Sequence, residues 1–345
     1  MAPRLDSYQE VHRYDGAAIQ REHAEEPVPC AVQPRDVAIL RDVWRYKFLT
    51  APQALELWWP GRGERAGQRR LRVLFEAGYV DRFRPISRRG SFPWTYQLAA
   101  EGHRLLRRAG EIPDRERFQP RRVYDYGHVL HEIQLNAWVL AYRRAIGDAF
   151  LSWEGETNIA PLDVRSPAGV RLDDDWSPED CRDVRARPVR PDAVLEIEQS
   201  DGFVPQVAFV EYDRTHRVDK NYDKFRRYDL YLNWWWRETD LRDAGPPIVV
   251  FVCQDLAQCE RFVKAADYEL TGHLWHPDAH PKRYQYIGRR CMYFVRERDV
   301  HDGDLRGWRV PEFPRRHPAR ESVAGRVHLP GARAAIEPEQ LALIP

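Results

Sequence analysis

The chain has 345 residues and a net charge of +1, with 43% hydrophobic, 31% charged and 12% aromatic residues, the profile of a folded protein rather than a disordered one. No apolar run approaches the ~18 residues of a membrane span, and the first residues carry charges where a secretory signal would be apolar. A cytosolic protein without membrane partners is therefore expected. Cys30, Cys181, Cys253, Cys259 and Cys291 are odd in number and scattered, which argues against a disulfide framework and a zinc ribbon.

Length is a prior for two domains. Residues 1–34 lack periodicity, and Glu25-Glu26-Pro27-Val28-Pro29 reads as part of an extended, poorly ordered arm. From Arg35, Val37, Leu40, Val43 and Trp44 recur at helical spacing. Thr50 caps a second helix with Pro52 in its first turn and Leu55, Leu57 and Trp58 facing inward. A third helix starts near Glu64, with Leu71, Leu74 and Phe75 on its apolar face and Gly78 at its end. The segment 79–84 and Trp94–Leu98 alternate as strands around a Ser87-Arg88-Arg89-Gly90-Ser91 turn. A fourth helix covers about Ala99 to Ala109. Three helices and a two-stranded ribbon with a basic tip predict a winged helix over 35–110. Between Arg35 and Gly110 sixteen Lys and Arg face seven Asp and Glu, a local +9. Double-stranded DNA is the partner this charge suits, with Gln68, Arg69 and Arg72 on the recognition helix and Arg88 and Arg89 on the wing. Winged helices also serve as protein-interaction modules.

A charged, proline-containing linker spans 111–124, and an α/β domain is expected over 125–310. It opens with an amphipathic helix from Tyr126 to Ile146. Strands follow near Phe150–Trp153, Ala193–Ile197 and Val207–Tyr212, with a polar insertion between the first two. A helix from Lys220 to Trp235, a buried strand at Pro247–Val252, a helix at Gln258–Ala266 and a strand at Met292–Val295 complete it. The tail over 311–345 reads as an arm or disordered. The run Trp234-Trp235-Trp236 either stacks on single-stranded bases or packs its helix against the sheet and a partner subunit, which makes a homodimer one expected state.

Asp192 opens the strand at Ala193, and Glu211 and Asp213 lie two apart at the end of the next, so alternation places them on one face. Asp192, Glu211 and Asp213 are the candidate hard-oxygen ligands for Mg²⁺. Glu156 or Glu132 could add a carboxylate. Only five lysines occur, and two of them, Lys220 and Lys224, fall within eleven residues of Asp213. A compact ammonium can approach a phosphate or metal-bound water where the planar arginine fork cannot. His128 and His131, like His273, His276 and His280, have no further ligand placed to complete a zinc site.

The order Pro191-Asp192, then Glu211-Tyr212-Asp213, then a lysine-bearing helix, resembles the PD-(D/E)XK nuclease superfamily. More narrowly, Val210-Glu211-Tyr212-Asp213-Arg214-Thr215 with Lys224 and Tyr228 is similar to the replication-relaxation proteins of plasmids, phages and actinobacteria, a resemblance covering about Arg35 to Arg298. It implies a winged helix joined to a restriction-endonuclease-like domain with a mixed central sheet flanked by helices, α/β within that domain and α+β overall. It also implies Asp192, Glu211, Asp213 and Lys224 as catalytic residues. Asp213 stands where an active nuclease has its lysine, so the role passes to Lys220 or Lys224, and Lys224 fits better because it precedes Tyr228 by four. The resemblance accommodates a Mg²⁺-dependent endonuclease or nickase acting on mobile-element DNA. It equally accommodates a non-catalytic DNA-binding regulator or replication accessory protein on a degenerate nuclease scaffold.

Overall fold

The computed structural model describes residues 19–61, 63–87, 90–119, 126–156, 159, 161–162, 188–199, 204–213, 219–233, 235–270, 286–315, 317–318, 320 and 325–332. The chain divides into two compact units, Met1–Leu140 and Ala141–Pro345.

In the first unit, α1 (Pro34–Arg45) begins with Pro34 in its first turn and a cap in which the Gln33 backbone N–H donates to Asp36 Oδ2 at 2.7 Å. The Asp36 carboxylate also clamps Arg70, accepting from its Nε at 2.7 Å. Lys47, at φ 58°, turns the chain into β2 (Leu49–Thr50) and α2 (Ala51–Trp58). Thr50 Oγ1 accepts from the Gln53 backbone N–H at 3.4 Å, and the Thr50 N–H donates back to Gln53 Oε1 at 3.0 Å. Gly63, at φ 89°, leads into α3 (Glu64–Glu76), and Gly78, at φ 73°, follows it, both in a backbone region that glycine enters without a Cβ clash. On α2, Leu55 is buried as expected, whereas Leu57 and Trp58 are only half-buried.

β1 (Ile19–Glu22), β3 (Val80–Ser87), β5 (Thr95–Leu98) and β2 form an antiparallel sheet in the order β1-β3-β5-β2, with β4 (Gly90–Ser91) paired to β3. α4 (Ala100–Arg108) follows. The expectation of an irregular arm over 1–34 is corrected at Ile19–Glu22. Glu22 and Gln20 accept from Arg82 and Arg84 of β3 at 2.7 and 2.9 Å, so four residues without periodicity become a strand because β3 supplies the ladder.

The helix expected to open the second domain, α5 (Tyr126–Ile146), contributes its residues up to Leu140 to the first unit. There Val129, Leu130 and Ile133 join Phe48 and Phe83 in one core cluster. Lys47 Nζ donates to Glu132 Oε1 at 2.6 Å, with both side chains buried. Asn136 Nδ2 donates to the carbonyls of Tyr46 and Phe48 at 3.0 and 2.7 Å, and Gln53 Nε2 to that of Ile133 at 2.8 Å. These polar bonds explain why α5 is buried nearly all round rather than amphipathic.

The second unit is built on a seven-stranded mixed sheet. In chain order its strands are β6 (Phe150–Gly155), β7 (Ala193–Ile197), β8 (Gln206–Tyr212), β9 (Ile248–Cys253), β10 (Met292–Arg296), β11 (Arg306–Trp308) and β12 (Arg326–His328), and they lie in the sheet in that sequence. The centre, β8, β9 and β10, is parallel, and the remaining pairs are antiparallel. Parallel strands are covered on both faces, which is why β9 reads as an unbroken apolar run. α6 (Asp219–Asn233), α7 (Leu256–Glu269), α8 (Ile287–Cys291) and α9 (Glu297–His301) complete the described helices. Phe225 of α6 meets Phe251, Phe262 and Phe294 edge-on, with ring centroids 4.9, 5.9 and 5.8 Å apart, tying α6 and α7 to β9 and β10.

α6 ends at Asn233, short of Trp235. The Asn233 side-chain amide donates to the Asp229 carbonyl and Oδ1 at 2.6 and 2.9 Å. Trp234 lies outside the described residues, and Trp236 is buried in the 3-10 turn Trp235–Glu238. The expected arm or disordered tail over 311–345 is corrected at Arg326–His328, and 333–345 lie outside the described residues. β12 pairs with β11, and the Tyr142 hydroxyl donates to the Pro330 carbonyl.

Candidate functional site

The register of β7 and β8 brings the acids together. Ala193 faces Val210, and the Asp192 backbone N–H donates to the Val210 carbonyl at 3.0 Å, so one further step sets Asp192 across from Glu211. Asp192 Oδ2 accepts the Tyr212 backbone N–H at 2.7 Å, fixing the end of β8. Beyond β8, the Asp213 N–H donates to the Val252 carbonyl at 3.3 Å and its carbonyl accepts from Gln258 Nε2 at 3.4 Å. Glu156 follows β6, and its N–H donates to the Asp192 carbonyl at 3.0 Å. Glu132, the other carboxylate considered, lies in the first unit, where it accepts from Lys47 Nζ.

Glu211 is only 1% exposed, and both its oxygens are engaged by α6. Lys224 Nζ donates to Oε2, and the Tyr228 hydroxyl donates to Oε1 at 2.7 Å. Four residues apart on a helix, Lys224 and Tyr228 share one face and reach the same carboxylate. Phe209, two before Glu211 on the same strand face, packs on Tyr228 and Tyr231 at 6.4 and 5.8 Å, which seats that helix face on the strand.

The electrostatics follow from this geometry. Burial pushes the Glu211 carboxyl above the usual carboxylate range; Lys224 opposes the rise and Asp192 adds to it. Burial works against the Lys224 ammonium, but Glu211, Asp192 and Asp213 outweigh it and hold its proton more tightly than usual. Burial and then Glu211 push the Tyr228 hydroxyl well up, so it remains a donor. All three expected acids thus act on Lys224. Tyr228 as a direct partner of Glu211 was not anticipated, although its spacing from Lys224 was the available signal.

The donor set has the hard-oxygen chemistry of a Mg²⁺ site. Lys224 and Tyr228 hold both oxygens of Glu211, and among the described residues no three His, Cys, Asp or Glu side chains are placed to bind one ion. The side chains of Lys220 and His128, and all of His273, His276 and His280, lie outside the described residues.

In the first unit α3 buries Gly67, Leu71, Leu74 and Phe75 and exposes Arg65, Gln68, Arg69 and Arg72. Gln68 donates to Glu64 at 3.2 Å and Arg72 to Glu76 at 2.7 Å, both along the helix surface. Arg88 and Arg89 lie outside the described residues.

Two compact units, one carrying a mixed sheet with buried Glu211 and Tyr228 and half-buried Lys224 at its strand ends, define an α+β protein. The chain belongs to the replication-relaxation family, whose family model matches residues 40–243, from within α1 to just beyond α6. No curated protein and no solved structure matches the chain. Among the described residues no helix is long and apolar enough to cross a membrane.

Proposed function

We propose that the protein binds double-stranded DNA of plasmids or other mobile elements through its first unit, acting as a winged helix, with a PD-(D/E)XK-like second unit. The observation that carries this is the division of α3. Gly67, Leu71, Leu74 and Phe75 are buried and Arg70 is consumed by Asp36, whereas Gln68, Arg69 and Arg72 stand exposed. Such a helix can enter a major groove, and the +9 of residues 35–110 favours phosphate contacts. The full chain should bind a duplex oligonucleotide with affinity that falls steeply between about 50 and 200 mM salt, as counterion release requires. Equal binding across that interval would reject the reading.

A second reading, Mg²⁺-dependent cleavage or nicking, is favoured by the joint action of Asp192, Glu211 and Asp213 on Lys224. Against it, each oxygen of Glu211 already accepts a donor, and one of those donors is the Lys224 ammonium, so an ion would have to share the carboxylate with a cation. The non-catalytic scaffold reading therefore has the simpler geometry. Supercoiled plasmid incubated with the protein and Mg²⁺, Mn²⁺ or EDTA separates them. Cleavage that needs the metal and disappears in Asp213→Ala supports the enzyme; equal inertness of both proteins leaves the DNA-binding scaffold.

A further inference from the structure

Asp267, near the end of α7, is shared by three arginines. Its Oδ1 accepts from Arg289 at 2.9 and 3.0 Å and from Arg320 at 3.0 Å; its Oδ2 accepts from Arg315 at 2.9 Å and Arg320 at 3.1 Å. Two carboxylate oxygens offer about four lone-pair sites, so these donors saturate it. Three guanidiniums against Asp267 and the buried Asp229, which also acts on Arg289, leave a surplus of +1 in the cluster. Glu269, on the same helix as Asp267, does not cancel it, because it pairs with Arg226.

The surplus is graded toward solvent. The side chains of Arg289, Asp267, Arg320 and Arg315 are 0, 7, 21 and 53% exposed. Arg289 is structural, since it also donates to the carbonyls of Asp267, Leu270 and Pro311. Arg315 spends only Nε on Asp267, and among the described residues its terminal nitrogens have no acceptor. Arg320 also donates to the Phe313 carbonyl at 3.2 Å. The Phe313 ring stacks on His317 at 4.3 Å and 9°, with Tyr286 edge-on to both, and all three are half-buried.

We propose that Arg315 and Arg320, with the rings of Phe313, His317 and Tyr286, form a second nucleic-acid contact that takes one single strand. The open fork of Arg315 suits a backbone phosphate, for which a planar guanidinium provides paired donors. The stacked rings supply the aromatic surface that distinguishes a nucleic-acid strand from a free phosphate. This contact lies within the second unit and does not depend on α3.

Fluorescence anisotropy of the full chain with a labelled oligothymidylate of about 15 nucleotides, near the top of the ~4–16 range for single-strand sites, tests it. Wild type should bind with marked salt dependence. Arg315→Ala should weaken binding and make the slope of log affinity on log salt shallower by about 0.7, the loss of one single-strand phosphate contact. Phe313→Leu should weaken it at least about fivefold with the slope unchanged, since stacking releases no counterions. An Arg69→Ala/Arg72→Ala double variant should retain oligothymidylate binding, so failure of the duplex reading and failure of this one are separable. The proposal is overturned if wild type ignores the strand, or if Arg315→Ala and Phe313→Leu bind like wild type. It is also overturned if inorganic phosphate competes no less well than free oligothymidylate of equal phosphate content.

Discussion

The Tyr228 hydroxyl donates to Glu211 Oε1 at 2.7 Å, inside a unit where both residues are almost wholly withdrawn from water. With Lys224 on the other oxygen, the carboxyl group has each oxygen matched by a donor. A buried acid is tolerated on those terms and becomes costly when a donor is removed.

Lys224→Met should destabilise the protein by about 1–3 kcal/mol at pH 7, below the ~3–5 of a wholly buried pair because Lys224 keeps a third of its side chain in solvent. The loss should depend on pH. Glu211 has a folded-state pKa raised above its unfolded value of about 4.3, so its proton stabilises the fold fully below that value, and the contribution is lost as pH rises through the folded value. Without Lys224 the folded value climbs further. Urea unfolding should therefore show a larger deficit at pH 7 than at pH 4, and a deficit independent of pH would contradict the assigned electrostatics.

Asp267 makes the opposite contribution. Burial works to raise its pKa, but hydrogen bonds from Arg320, Arg315 and Arg289 prevail and bring it down to about 2. Its folded value lies below the unfolded one near 3.9, so its stabilisation is present above about pH 4 and disappears as pH falls toward 2. Asp267→Asn should lower stability at pH 7 by about 2–4 kcal/mol and flatten the stability curve between pH 4 and 2. An acid limb as steep as that of wild type would count against this account.

Within the first unit, Glu132→Ala strands the Lys47 ammonium in a buried site whose backbone is already left-handed. The cost should be about 3–5 kcal/mol. A double-mutant cycle with Lys47→Ala, read by urea unfolding, should give a favourable coupling well above the 0.2–1 kcal/mol typical of exposed pairs.

Gly102 is where α4 touches the ends of the inner strands β3 and β5. A Cβ there would lie 2.2 Å from the Tyr79 carbonyl oxygen and 2.7 Å from Leu98 Cδ1. Backbone cannot move aside as a side chain can, so Gly102→Ala should cost about 1–3 kcal/mol by overpacking. Gly110→Ala, with nothing within 4 Å of the added Cβ but φ 74°, provides a comparison limited to backbone strain. The melting temperature of the Gly102 variant should be the lower of the two.

For the duplex interface, Arg69→Ala and Arg72→Ala should each weaken binding more than Arg107→Ala on α4. The first two are exposed on α3. Equal effects in an electrophoretic shift assay would indicate a diffuse basic surface instead of a recognition helix.

Long elements with strong patterns were legible from sequence. The helices α1 to α4 follow from apolar spacing and from Thr50 and Gly78, and β8 and β9 from apolar runs that both faces of a parallel centre bury. Short edge strands were not. Ile19–Glu22 and Arg326–His328 are charged or polar at most positions, and their conformation comes from partners about 60 and 20 residues away in the chain.

Sequence by itself determined the family resemblance and the order of the acids and the lysine, because these depend on spacing within one element or adjoining ones. Tertiary structure decided that Lys224 is bound to Glu211, that Tyr228 fills the other oxygen, that α5 serves the first unit up to Leu140, and that three arginines converge on Asp267. Each of those outcomes depends on burial, and burial depends on which distant segment covers a group. A carboxylate in water needs no particular donor, whereas one removed from water must have its donors supplied by the fold.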